Sequence, residues 1–210
     1  MKLGFRTGKH YTREELQNLF RTTRDNATKL CRSIPHVVSN GEHDASTEEQ
    51  DKRIADAMER RFVKIRPLYD KLQRNIEEIN DLYSPWDFFF ADQNGEYLKL
   101  SKAEDKKDPL DAVWGEFYEY FTYIDGKYST SLDGMLEDLI EACCIKQEGD
   151  TLRFDYLMEL GDRSDTEEYR KWRLEELVHF CDQEARELDE LFAKAEQVIA
   201  EYRANHDAAS

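Results

Sequence analysis

At 210 residues, with 40% hydrophobic content and a formal net charge of −16, the chain can bury one sizeable core, or one core with a satellite, under a heavily charged surface. That hydrophobic content argues against a disordered tail. No run of about 18 apolar residues occurs to span a membrane, and the opening MKLGFRTGKHYTREEL lacks the apolar stretch of a secretory signal, so a cytoplasmic protein is expected.

In chain order, Thr12 with Glu15 three residues on forms a capping box and opens a helix. Its apolar positions, Leu16, Phe20, Thr23, Ala27, Leu30 and Ile34, alternate steps of four and three until Pro35. Residues 35–46 read as a loop. A second helix is predicted from Ser46 to Tyr83, before the Ser84-Pro85 break. Its seam of Ala55, Met58, Phe62, Ile65, Tyr69, Leu72, Ile76, Ile79 and Tyr83 keeps an apolar step of three or four. Pro67 lies off this seam, where it should kink the helix.

A different texture follows. Residues 87–100, with an apolar run, Asn94-Gly95 and then alternation, predict a β-hairpin. Asp108-Pro109 opens an aromatic-rich helix that ends near Gly126, and another helix runs from Ser131 to Cys144. A second hairpin is predicted around Glu148-Gly149-Asp150. The segments Gln93–Leu100 and Gln147–Phe154 share the pattern Q-x-G-acid-x-L-base-apolar, which reads as a duplicated helix–hairpin–helix unit.

The last helix is predicted from Ser164 or Asp165 to Ala204. Leu174, Cys181, Leu188, Ala195 and Tyr202 form one heptad row, and Val178, Ala185, Phe192 and Ile199 form the second. Helices of about 36 and 40 residues measure roughly 55–60 Å and must pair along their length.

The expected fold class is therefore mainly α (α+β). It is an elongated bundle of long, coiled-coil-like helices with a middle region carrying two small β-hairpins. The expected domains are an N-terminal helical hairpin (1–83), the middle region (84–163), and a long C-terminal helix packing on the N-terminal helices (164–205).

Candidate chemistry is sparse. Cys31, Cys143, Cys144 and Cys181 form neither a CxxC pair nor a Cys/His cluster, so reduced and mostly buried thiols are expected. No nucleophile elbow, phosphate-cradling glycine loop or dinucleotide fingerprint occurs; no catalytic residue and no cofactor is predicted. Glu116 and Glu119 on one helix, with Asp138 and Glu141 on the next, loosely resemble the paired acids of helical metal-dependent nucleoside triphosphate pyrophosphatases. That resemblance implies magnesium held between helices and a nucleotide hydrolase, the alternative reading. The second acidic pair is reversed relative to that family, and no basic set stands ready for phosphates. Arg173 and His179 have the R-x5-H spacing of HEPN-type helical ribonucleases. Leu174 takes a position usually polar there, and the two side chains project roughly 120° apart on a helix. A structural role is the favoured reading. The basic stretch from Lys52 to Arg74 is interleaved with Asp56, Glu59 and Asp70 and is better suited to pairing with acids than with phosphates.

Charge and aromatics carry the main expectation. Residues 1–80 hold 16 Lys/Arg against 13 Asp/Glu, whereas residues 81–210 hold 14 against 33. The aromatics concentrate in the same acidic half, at Tyr83–Phe90 and Trp114–Tyr128. Trp114, Tyr118, Tyr120 and Tyr123 cannot all point one way, so some must be exposed. The favoured reading is a non-enzymatic binding protein that engages a basic protein partner, in the manner of inhibitors, immunity proteins, antitoxins or anti-defence proteins. The expected partner-binding residues are Glu116, Tyr118, Glu119, Tyr123, Asp182, Glu184, Glu187, Asp189 and Glu190. Direct nucleic-acid binding and membrane association are not expected; a structural homodimer through the long helices is the third reading.

Overall fold

The structure is a computed structural model. It describes residues 1–33, 48–83, 88–101, 107–127, 131–142, 145–148, 151–154 and 166–207. Within these, the backbone alone is described for 48–55, 57–59, 61–62, 64, 123–127, 145–148, 151–154, 166–167 and 207. The described chain is mostly helical with a small antiparallel β content: β1 (Lys2–Phe5), β2 (His10–Tyr11), α1 (Arg13–Ser33), α2 (Glu48–Leu82), β3 (Phe88–Ala91), α3 (Leu110–Lys127), α4 (Leu132–Ala142), β4 (Ile145–Glu148), β5 (Thr151–Phe154) and α5 (Thr166–Asp207). None of the described helices is long and apolar enough to cross a membrane. Two compact units emerge, one from Met1–Thr22, Glu77–Ser129 and Cys181–Ser210, the other from Thr23–Ile76 and Thr130–Phe180.

Helix starts follow local chemistry. Thr12 Oγ1 accepts from the Glu15 amide at 3.2 Å and the Thr12 amide donates to Glu15 Oε2 at 2.7 Å, so the capping box is closed. The Asp108 carboxylate accepts from the Leu110 amide at 2.8 Å through one oxygen, and from the Leu100 and Ser101 amides through the other. One side chain thus caps α3 and pins the segment before it. Ser131 Oγ accepts from the Gly134 amide at the start of α4. Pro67 lies inside α2 without ending it.

In the first unit a three-stranded sheet has the order β2-β1-β3, with Leu3 opposite Phe90 and Phe5 opposite Phe88. Alternation sends Leu3, Phe5, Tyr11, Phe88 and Phe90 into the core. Phe117 of α3 is the hub. Its ring centroid lies 5.3 Å from Phe90 and 5.5 Å from Phe192 of α5, both edge-to-face. Burying each such ring stabilises the fold by about 1.5–3 kcal/mol. Gln17 of α1 donates to the Ala185 carbonyl of α5.

The second unit buries Leu30, Ile65, Tyr69, Leu72 and Ile76 and, from α4 and α5, Leu132, Leu136, Leu139, Leu177 and Phe180. Arg170, itself buried, donates through Nε to the Ala142 carbonyl at the end of α4, satisfying an orphan acceptor there.

Of the two heptad rows, Cys181, Leu188, Phe192, Ala195 and Ile199 are buried, whereas Leu174, Val178, Ala185 and Tyr202 are half-buried and the off-row Leu177, Phe180 and Glu184 are interior. Ala55, Met58 and Phe62 of the α2 seam lie outside the described side chains. Two strand features differ from the sequence expectation. The segment 87–100 does turn at Gly95, with φ +89°, but β3 pairs in four positions with β1 and meets the returning arm in a single bridge, Ala91 to Tyr97. β4 and β5 form a full four-pair ladder, so the two look-alike segments are built differently. The β1–β2 hairpin, turning through Gly8 at φ +82°, was not expected at all.

Gly4 is where β1 can least accept a side chain. A Cβ there lies 2.6 Å from Phe89 Cζ and 3.1 Å from the His10 ring. Gly4→Val, although strand-favouring, should lower stability by about 1–3 kcal/mol. Gly115→Ala on α3 meets nothing within 4 Å and should raise stability by about 0.5–1 kcal/mol. Urea midpoints of the two variants check both signs; an unchanged midpoint for Gly4→Val removes the steric account.

Candidate functional site

α3 carries more aromatic side chains than one helix face can bury. Leu110, Val113, Phe117, Tyr120 and Phe121 take the inward stripe. Trp114 is left 40% exposed and Tyr118 half-buried, among exposed Asp111, Glu116 and Glu119. The rings are ordered: Trp114 stacks on Phe88 at 5.2 Å and 17°, and Tyr118 stacks on Trp114 at 5.3 Å and 19°. The indole N–H donates to the Phe88 carbonyl at 3.4 Å, which fixes its orientation. Tyr120 points inward, and Tyr123 lies outside the described side chains.

The expected acids divide into three groups. Glu119, Asp182 and Glu190 are exposed. Glu116, Glu187 and Asp189 are engaged within the chain. Lys194 donates to Glu116 at 2.6 Å and Gln183 to Glu187 at 3.0 Å. Arg13 grips Asp189 bidentately at 2.6 and 2.7 Å while reaching Glu196 at 3.1 Å. That guanidinium holds the Asp189 carboxyl below the usual range. Glu184 requires a correction, because it is 0% exposed and does not belong to the accessible surface. It hydrogen-bonds the buried Tyr120, whose hydroxyl lies 3.0 Å from that of Tyr83. Burial, reinforced by the nearby Tyr83 and Glu184, pushes the Tyr120 phenol well up. The second Glu184 oxygen, Oε2, has no hydrogen-bond partner among the described residues.

The residues of the metal alternative lie in different units, Glu116 and Glu119 in the first, Asp138 and Glu141 in the second. Glu116 is paired with Lys194, and Asp138 with Arg173 at 3.1 Å. Among the described residues no group of three or more His, Cys, Asp or Glu is placed to hold a metal ion. Arg173 also binds Glu176 at 2.8 Å and the Tyr169 hydroxyl at 3.1 Å, whereas His179 is exposed. Cys31 and Cys181 are buried; Cys143 and Cys144 lie outside the described residues.

Two surface features escaped the sequence reading. On the outer face of the sheet, Phe89 lies between His10 and Tyr97, at 5.9 and 6.4 Å, and Tyr97 is 65% exposed. Beside the Asp92–Gly95 turn, a groove of about 490 Å³ is lined by Met1, Leu98, Ile199, Glu196 and Arg203 among others. The signals were present in Gly4 and in the alternation of residues 2–11, but a short N-terminal strand has no periodicity long enough to stand out.

Comparison of the chain with family models, with curated proteins and with solved structures gives no match.

Because Arg13 lowers the Asp189 pKa in the folded chain, the stabilisation is complete above the unfolded value, near pH 4, and is lost as pH falls through the lowered folded value. The pair is more than a third exposed on each side, which limits its worth to under about 1 kcal/mol. Arg13→Met should thus unfold more easily than the parent at neutral pH, and the two urea midpoints should converge by about pH 2. A gap that is constant with pH shows that Arg13 acts through packing instead.

Proposed function

We propose that the chain is a non-enzymatic acidic binding protein that engages, and thereby inhibits, a basic protein partner such as a nuclease or another nucleic-acid-binding protein. The observation that supports this reading most is the ordered, partly exposed Trp114–Tyr118 stack on a helix whose outer face also carries Asp111 and Glu119. Aromatic side chains that are rigid before binding bury large area at low entropic cost. Carboxylates around them steer a basic partner and reject polyanions. Glu119 and Glu190 supply the accessible charge, with the exposed Asp182 beside them in the sequence reading; Glu116 and Asp189 contribute less, being paired with Lys194 and Arg13.

The long helices serve in this reading as the scaffold that holds α3 rigid. No step requires a cofactor, and the partner is a cytoplasmic protein in the immunity, antitoxin or anti-defence setting.

Affinity capture from the native host tests the proposal. Partner recovery should be strong at about 50 mM salt, fall sharply by about 1 M as charge is screened, and drop at least tenfold in a Trp114→Ser, Tyr118→Ser double variant that keeps the parent helicity. Recovery of the same proteins at both salts and by the double variant rejects the proposed surface.

A further inference from the structure

We infer that the Trp114–Tyr118 face recognises an arginine side chain of the partner, the guanidinium lying on the aromatic stack and pairing with a neighbouring carboxylate. This rests on the binding role proposed above and adds the chemistry of the contact.

The stack is a ladder of three nearly parallel rings, Phe88, Trp114 and Tyr118, with spacings of 5.2 and 5.3 Å. Phe88 is interior, Trp114 is 40% exposed and Tyr118, at the free end of the ladder, is half-buried. Asp111 precedes Trp114 by three residues and Glu119 follows Tyr118, and both are exposed. Neither forms an ion pair among the described residues. Between them the space at Gly115 is open, with no atom within 4 Å of a Cβ placed there.

The second unit shows what these groups do when a guanidinium is present. The Arg173 guanidinium carbon lies 4.2 Å from the Trp172 ring centroid and 5.1 Å from that of Tyr169. Its Nη1 reaches Asp138 at 3.1 Å and Glu176 at 2.8 Å. A Tyr–Trp pair and two carboxylates there hold one arginine. Trp114 and Tyr118 with Asp111 and Glu119 present the same kinds of group, and no cation among the described residues covers those rings.

Arginine fits better than lysine. Its planar, weakly hydrated guanidinium stacks on a flat ring while still offering N–H groups sideways to a carboxylate, whereas an ammonium is a hydrated point charge. A nucleobase could also stack, but its phosphates would meet Asp111 and Glu119, and the chain as a whole carries −16.

The test uses the full chain labelled with fluorotryptophan, titrated at low salt with capped hexa-arginine and hexa-lysine and followed by fluorine NMR, the Trp114 signal being assigned with Trp114→Phe. Hexa-arginine should bind about two- to fivefold more tightly than hexa-lysine, the ratio expected of an exposed cation–π contact, and should shift the Trp114 signal. Tyr118→Leu, which keeps apolar bulk, and Tyr118→Ser should both abolish the preference and the shift. Glu119→Gln should weaken both peptides. Equal affinities, a preference that survives both Tyr118 variants, a shift confined to the other tryptophans, or no binding of either peptide overturns the inference. The salt-sensitive capture of a native partner stands or falls separately: a partner lost in the Trp114/Tyr118 double variant, with no arginine preference, keeps the surface and discards the guanidinium.

Discussion

The arrangement of the first unit turns on what helix α3 can bury. Its inward stripe is filled by Leu110, Val113, Phe117, Tyr120 and Phe121, and Phe117 alone touches rings from the sheet and from α5. A helix has room for one such stripe on a single core. With that stripe occupied, Trp114 and Tyr118, one turn apart, must lie outside it. They are not left loose, because stacking on Phe88 and the indole hydrogen bond tie them back to the sheet. The exposed aromatics therefore follow from the same packing that makes the core.

Charge is arranged with the same economy. Arg13 and Lys194 draw α1 and α3 onto α5 through Asp189, Glu196 and Glu116, so part of the acidity of α5 serves the fold. Such exposed pairs contribute little each, but they offset the charge of carboxylates that stay accessible. Glu184 goes further: wholly buried, it makes sense next to the Tyr120 hydroxyl, since an interior carboxylate must be hydrogen-bonded to be tolerated.

The helices were legible because their signals are long and redundant. The apolar spacing of α5, the seam of α2 and the capping box at Thr12 each repeat or close a local pattern, which is enough to mark a helix even where the strict seven-residue rows of α5 are only partly interior. β1 and β2 were not legible, since strands of four and two residues are too short for a periodic signal and β1 finds its longer partner in β3, far away in the chain. The same non-local pairing gives β3 its ladder: Leu3 and Phe5 of β1 lie opposite Phe90 and Phe88, while the returning arm adds only the Ala91–Tyr97 bridge. Glu184 could have been placed. It lies three residues after Cys181 and four before Leu188, on the buried stripe itself, and reading it as surface gave residue type more weight than position. The pairing of Glu116 and Asp189 was beyond reach, because Lys194 and Arg13 come to them through tertiary contacts alone.

The two exposed tryptophans differ in a way that bears on the basic partner proposed above. Trp172 is 49% exposed yet carries Arg173 across its face, fixed by Asp138 and Glu176; its negative ring face and the acids beside it are already matched by a cation from the next residue. Trp114 and Tyr118 have acids of their own but no such cation among the described residues. Within one chain, the first arrangement is complete, and the second is the one for which a basic partner is proposed. Long-range attraction from the net charge brings many cations near, with little choice among them. A stacked pair of rings, flat and oriented beforehand, adds a short-range demand for a planar cation that the charge alone does not impose.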